Sequence, residues 1–304
     1  MKFGVHLPDA GNIATGENLV SVARLADELR FDSVFSSDHI AWPDPDSLKS
    51  KYPYNDEGDF IPVDTPWLDC IGSLIYIAGV TEHVQLGTTV IILGYRPVIQ
   101  QAKLWATLDV LSGGRAILGV GVGWMKEEFE TLGMPYDQRG KRADEFLEIF
   151  DVLFREDRPQ FKGEFTKFGP VGFEPKPVNG HIPIWVGGHS QRAYERTAKY
   201  GDAWHAAFGS PEDIKKQWDG VTRECERIGR DPGEIELTAL LGIEFDGQAD
   251  GNGWFWGSSE QIAESLLAYK EAGITHLVCW FTGSPAKRLS AIQKFHEEVR
   301  PNLS

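Results

Sequence analysis

Cysteine is scarce in this chain of 304 residues: Cys70, Cys225 and Cys279 lie far apart, with no C-x-x-C pair and no Cys/His cluster. That argues against a disulfide framework and a structural zinc site, and leaves buried, reduced thiols as the expectation. Long apolar runs are also missing; none reaches the roughly 18 residues that would read as a membrane-spanning helix. The opening Met1 to Pro8 runs straight into a strand pattern, without the apolar core and small-residue site of a secretory leader, so a cytoplasmic location is expected. No basic stripe interrupts a net charge of −15, which disfavours nucleic acid as a partner. The acidic balance serves solubility. Zinc-binding spacings, a P-loop and a Gly-x-Ser-x-Gly elbow are absent as well, so no metal is expected.

What is present is an alternation. Short Val/Ile/Phe-rich runs at 2–7, 33–37, 84–92, 115–122, 182–186, 202–205, 236–241 and 276–281 read as strands. Helix-period segments follow them at 18–30, 67–80, 98–111, 139–154, 191–199, 211–228, 259–272 and 285–299. Start signals mark some of these, as in Ser210-Pro211-Glu212, a capping serine before proline at the first helical position. Regular β/α alternation implies parallel strands with right-handed crossovers. Eight units permit closure, so the chain is expected to be a single (β/α)8 barrel domain over 1–304. Three connections, near 40–66, 155–181 and 242–257, exceed simple turns and read as insertions. The first and third follow strands and so belong to the rim that carries barrel active sites.

Candidate chemistry gathers at strand ends. His39, after Ser36-Ser37-Asp38, is placed at the barrel mouth, where an imidazole suits general acid/base work. Asp38 beside it is a candidate to hold the histidine tautomer, although strand neighbours point to opposite faces. In Gly87-Thr88-Thr89-Val90 the glycine allows close approach and the threonines offer hydroxyls. Gly119, Gly121 and Gly123, before Trp124, either leave one side of a strand bare for a flat ring or relieve crowding inside the barrel. Gly187, Gly188, His189 and Ser190 precede a helix, a ready anion site for a cofactor phosphate. Tryptophans at strand and loop ends, Trp42, Trp67, Trp124, Trp204, Trp254, Trp256 and Trp280, suggest a walled pocket for a planar ligand.

Taken together, Phe3-Gly4-Val5-His6-Leu7-Pro8, Asp38-His39, Leu86 to Val90, Ala106 to Arg115, the Gly-Val-Gly-Val-Gly-Trp run, Glu127-Glu128-Phe129, Arg139, Pro183 to Gly188 and Gly201 to Trp204 resemble the luciferase-like monooxygenase superfamily, specifically its coenzyme F420 (deazaflavin)-dependent branch. The resemblance spans nearly the whole chain. It implies a barrel with insertions, a homodimer, and a non-prolyl cis peptide at Thr89–Val90 backing the cofactor ring. It implies that Asp38 and His39 meet the ring edge and substrate, that the Gly187–Ser190 backbone meets the phosphate, and that Thr88, Thr89, Val90, Gly121, Gly123 and Trp124 complete the cofactor site. His6, Trp42, Trp204 and Trp280 then fall to the substrate pocket. The function so implied is hydride transfer between F420 and a small, partly apolar organic molecule. An FMN-dependent monooxygenase using reduced flavin and oxygen is the alternative, because several of these segments occur in both branches; a cofactor-sequestering binding protein is a third. An acidic cofactor tail would call for cations such as Arg139, Lys141, Arg142 or Arg192.

Overall fold

A computed structural model describes residues 1–44, 48–52, 62–245 and 253–303. The first strands in the chain are β1 (Lys2–His6), β2 (Ser33–Ser36), β3 (Gln85–Thr88), β4 (Ile91–Ile92) and β5 (Ala116–Gly121). A small antiparallel hairpin follows, β6 (Phe161–Lys162) and β7 (Lys167–Phe168). Next come β8 (Ile184–Gly187), β9 (Ala203–Ala207), β10 (Glu236–Phe245), β11 (Trp254–Gly257) and β12 (His276–Phe281). Eight of them pair in parallel in the order β1, β2, β3, β5, β8, β9, β10, β12, and β12 returns to β1. The ring is closed and leaves no free edge.

Helices α1 (Gly16–Glu28), α2 (Cys70–Ala78), α3 (Val98–Ser112), α4 (Lys126–Thr131) and α5 (Arg139–Arg155) serve the first half. The second half is served by α6 (Gln191–Tyr200), α7 (Pro211–Ile228), α8 (Ser259–Glu271) and α9 (Pro285–Lys294). Local chemistry sets their ends. Ser210 caps α7 and Pro211 occupies its first turn, as the sequence signalled; Ser258 and Gln261 form a full capping box on α8. Among the described residues no helix is long and apolar enough to cross a membrane. All three thiols are unpaired and buried.

Four expectations need correction. The strand expected over 84–92 is broken into β3 and β4 by a bulge at Thr89 and Val90, whose peptide bond is cis. The strand expected to end at 241 runs on to Phe245, because β11 pairs alongside its last four residues; the segment expected as a 242–257 insertion is therefore partly sheet. Residues 246–252 of that segment, and most of 45–61, lie outside the described residues. The last helix stops at Lys294 and continues as a π turn over Phe295–Val299. Finally, α4 was not anticipated at all, being too short for periodicity to register.

The apolar residues divide into two main bodies. The larger packs strands against the surrounding helices and includes Trp105, Trp204 and Phe150. The smaller fills the ring itself: Phe35, Ile117, Trp185, Ala203, Leu240 and Val278 come from six different strands. Phe35 and Trp185 stack at 5.0 Å, and the His276 ring meets Trp185 edge-on at 4.9 Å. The barrel is thus a packed core rather than a pore.

Candidate active site

At the carboxyl rim of the ring lies a cleft of about 320 Å³, within the usual range for small-molecule sites. Its lining comes from strand ends all round the ring: Asp38 and His39 after β2, Thr89 and Val90 after β3, Gly121, Gly123 and Trp124 from β5, Gly187 to Ser190 from β8, and Trp280 from β12. Tyr52, Trp67, His205 and Phe208 also line it. Trp67 is one of the tryptophans expected to wall a pocket; the sequence reading did not assign Tyr52, His205 and Phe208 to the site.

The bulge after β3 forms part of the floor, and β5 is shaped to accept it. A Cβ on Gly119 would overlap the Thr88 carbonyl oxygen, and one on Gly121 would press into the Val90 side chain. These glycines are therefore not bare positions waiting for a ligand; backbone and side chain of the neighbouring strand already fill the space. Thr88 itself does not reach the cleft, because its hydroxyl is buried and donates to the Gly119 carbonyl at 2.7 Å. Thr89 does reach it, with Oγ1 2.9 Å from His205 Nε2. Burial pushes His205 down to a pKa of about 3, so this part of the floor is neutral at physiological pH.

His39 has a carboxylate behind it. Its Nδ1 lies 2.7 Å from Glu128 Oε2, and the Glu128 side chain is fully buried. The same carboxylate accepts from Tyr95 Oη at 2.8 Å and from the Ile40 and Ala41 backbone N–H groups. Burial alone would raise Glu128, but the bonds from His39, Ile40 and Tyr95 outweigh it and hold the carboxyl below its ordinary range. An ionised Glu128 fixes Nδ1 as the protonated nitrogen and assigns proton exchange to Nε2. Glu128 sits on α4, and the missed helix is why the sequence reading gave it no role.

Asp38 requires a correction. Its carboxylate is buried and saturated: Arg96 grips it in a bidentate pair at 2.8 and 2.8 Å, the Ile92 N–H donates at 2.9 Å, and Cys70 Sγ lies at 3.4 Å. It does not hold His39, and no lone pair remains directed at chemistry. Burial would lower Arg96, yet the Asp38 pairing wins and keeps the guanidinium protonated. The Asp38–Arg96 pair ties the end of β2 to the segment after β4, so Asp38 positions the rim.

At the β8 end, Gly188 has φ of +112° and Ser190 caps α6, accepting from the Ala193 N–H. The turn thus leads onto a helix amino terminus, as the sequence suggested. Trp204 is also corrected: fully buried, it faces α6 and α7 among Tyr194 and Trp218, and its Nε1 donates to the Gly188 carbonyl at 2.8 Å. It braces this turn from behind and does not wall the pocket. Trp42 is one layer back too, edge-on to His39 at 5.4 Å and to Trp67 at 5.2 Å, with its Nε1 donating to Val63. His6, on the strand beside β2, is stacked on Trp280 at 4.5 Å. Of the cations considered for an acidic tail, Arg139 is tied to the rim, donating to the Gly123 carbonyl at 2.9 Å, while Arg192 pairs with Glu195. Lys141 pairs with Glu164, and Arg142 lies over the Phe165 ring.

Known proteins share this fold. The luciferase-like monooxygenase family matches residues 1–245. An uncharacterized protein of Mycobacterium tuberculosis is 33% identical over 266 residues, covering 85% of each chain. Among solved structures, an F420-dependent secondary alcohol dehydrogenase in complex with an F420-acetone adduct superposes with a TM-score of 0.83 at 18% identity, covering 100% of this chain and 99% of that one. A monooxygenase from Streptomyces bottropensis superposes at 0.79 with 20% identity over 100% of both chains. At such identities the structural likeness speaks for the fold, and the family match speaks for descent. The chain belongs to the luciferase-like monooxygenase family.

Proposed function

We propose that the cleft binds the deazaflavin F420 and that the protein is an oxidoreductase moving a hydride between F420 and a small, partly apolar organic molecule. The observation that carries this reading is the His39–Glu128 pair at the cleft wall, because hydride transfer to or from a carbonyl carbon needs a partner group that holds or gives the accompanying proton. When bound, deazaflavin supplies a two-electron hydride carrier. The residues present suit such a group. Thr89 and Val90 form a floor on which a flat ring can rest, and the Gly188–Ser190 turn at the start of α6 suits a phosphate. Trp67, Trp124 and Trp280 give the cleft aromatic walls that exclude water.

Within this reading His39 holds and moves a proton at Nε2, Glu128 keeps the ring oriented and stabilises it when charged, and His205 stays neutral beneath. Of the four cations considered, Arg139, held at Gly123, is the one to meet an acidic cofactor tail. The F420-dependent structural neighbour supports the cofactor assignment, and the monooxygenase neighbour supports FMN as its rival. Paired titrations with F420 and FMN, followed by quenching of tryptophan fluorescence, decide between them. Tighter binding of F420 is expected; tighter binding of FMN overturns the assignment.

A further inference from the structure

A second histidine addresses the cleft through an intermediary. His6 Nδ1 lies 2.8 Å from the Leu7 carbonyl oxygen. A carbonyl can only accept, so Nδ1 carries the hydrogen, and in the neutral ring Nε2 is then left as an acceptor. Ser37 Oγ lies 2.6 Å from that Nε2, which makes the serine hydroxyl the donor. The direction of every bond in this chain is therefore settled from one end: Leu7 C=O accepts from His6, and His6 accepts from Ser37.

The surroundings hold the arrangement in place. The His6 ring is buried and stacked on Trp280 from β12. Asp9, from the β1–α1 connection, accepts from the Ser36 hydroxyl and from the Ser37 backbone N–H at 2.7 and 2.6 Å, pinning the serine independently of its side chain. Burial dominates and pushes the His6 imidazole below its ordinary pKa, while Asp9 and Arg288, the latter from α9, act on the ring with opposite sign. Ser37 is half-buried and lines the cleft two residues before His39.

We infer that Ser37 is a hydroxyl-recognising subsite: with its own hydrogen committed to His6, it offers ligands only oxygen lone pairs, and so selects molecules that bring an O–H donor on an apolar body. A ligand ether or halide at the same place would face an acceptor with nothing to give. A site built to take a donor rejects the isostere that lacks it, because an acceptor covered by the ligand is then left unpaired. The inference names a substrate feature for the proposed function and rests on that reading only in taking the cleft as the place where substrate sits. His6 is here a positioning residue, acting by fixing which way the serine hydroxyl points.

The test compares two probes of nearly equal shape, 4-nitrophenol and 4-nitroanisole, at a pH where the phenol is neutral. Each is titrated into the full chain by tryptophan fluorescence, first alone and then with the protein saturated by whichever cofactor it binds. We expect the phenol to bind at least about tenfold more tightly than the ether, the margin of one hydrogen bond to an acceptor that the ligand covers. Ser37→Ala should erase that ratio and Ser37→Thr should restore it. His6→Phe keeps the stack on Trp280 but frees the serine to donate, so it should let the ether bind as well as the phenol. Equal binding of the two probes to the native chain, no binding of the phenol, or a ratio that survives Ser37→Ala overturns the inference. Because the first titration uses no cofactor, a preference for FMN over F420 leaves all of these outcomes readable.

Discussion

His39 and the interior histidines, His205 and His276, occupy the same barrel, yet their settings differ in one respect that decides their chemistry. His39 has an ionised carboxylate 2.7 Å away. His205 is met by the Thr89 and Thr238 hydroxyls, and His276 by the Ser33 hydroxyl. With burial dominant and no carboxylate to offset it, both interior rings are pushed down to a pKa of about 3. One region of the molecule thus sets an ionised carboxylate against an imidazole, and the other buries its imidazoles among hydroxyls and keeps them neutral. The contrast shows that a histidine in a cleft does not by itself mark acid/base work; the group behind it does.

The contrast can be broken from either side. The largest effect is expected for His39→Ala, which should lower turnover at least about 100-fold while leaving cofactor affinity within a few-fold, as for loss of a general acid/base group. Unchanged turnover would remove that role. Glu128→Gln keeps the shape but removes the charge; with a charge-assisted bond worth about 1.5–3 kcal/mol, turnover should fall about 10- to 100-fold. An Asp38→Asn enzyme should instead lose stability, since a buried Arg96 would be left facing a neutral partner.

Acid stability tests the interior side. Each interior histidine has a folded-state pKa of about 3 against 6.5 unfolded, so between those values the unfolded chain binds more protons. Stability then rises with pH across that window and is lost on acidification. At pH 5 the loss relative to pH 7.5 is on the order of 2 kcal/mol for each ring. Glu128, held below the usual carboxylate range, contributes above its unfolded value and gives way only at still lower pH. Denaturant midpoints at the two pH values should show this loss, and His205→Gln and His276→Gln should each flatten it; an unaltered slope would contradict the account. The smallest effect is expected at Ser190→Ala, about 1 kcal/mol from the lost cap on α6, read as a lower melting temperature.

The same contrast explains what could be read from the sequence. The barrel was legible because β/α alternation is a long-range pattern that many residues share, and the end of β12 and both ends of α7 fell where the residues indicated. His39 was legible from its place at a strand end. Glu128 was not: it lies on a helix of six residues, 89 positions from the histidine it holds, and no local spacing links the two. Asp38 misled because adjacency in sequence suggested a partnership that strand geometry denies, and Arg96 claims its carboxylate. Trp204 misled in the same way, since a tryptophan near a strand end can face the helices as readily as the mouth. Ser37 drew no attention because a serine signals nothing until the direction of its hydrogen bond is known.

Hydride transfer to F420 at this rim, with His39 managing the proton, is the proposal on which the other roles depend. Its most direct test is anaerobic incubation of the protein with oxidised F420 and a panel of small alcohols, read as loss of the cofactor's visible absorbance. Bleaching without oxygen is expected, slowed at least about 100-fold by His39→Ala. No bleaching with any alcohol, together with oxygen consumption when reduced FMN is supplied, would contradict it.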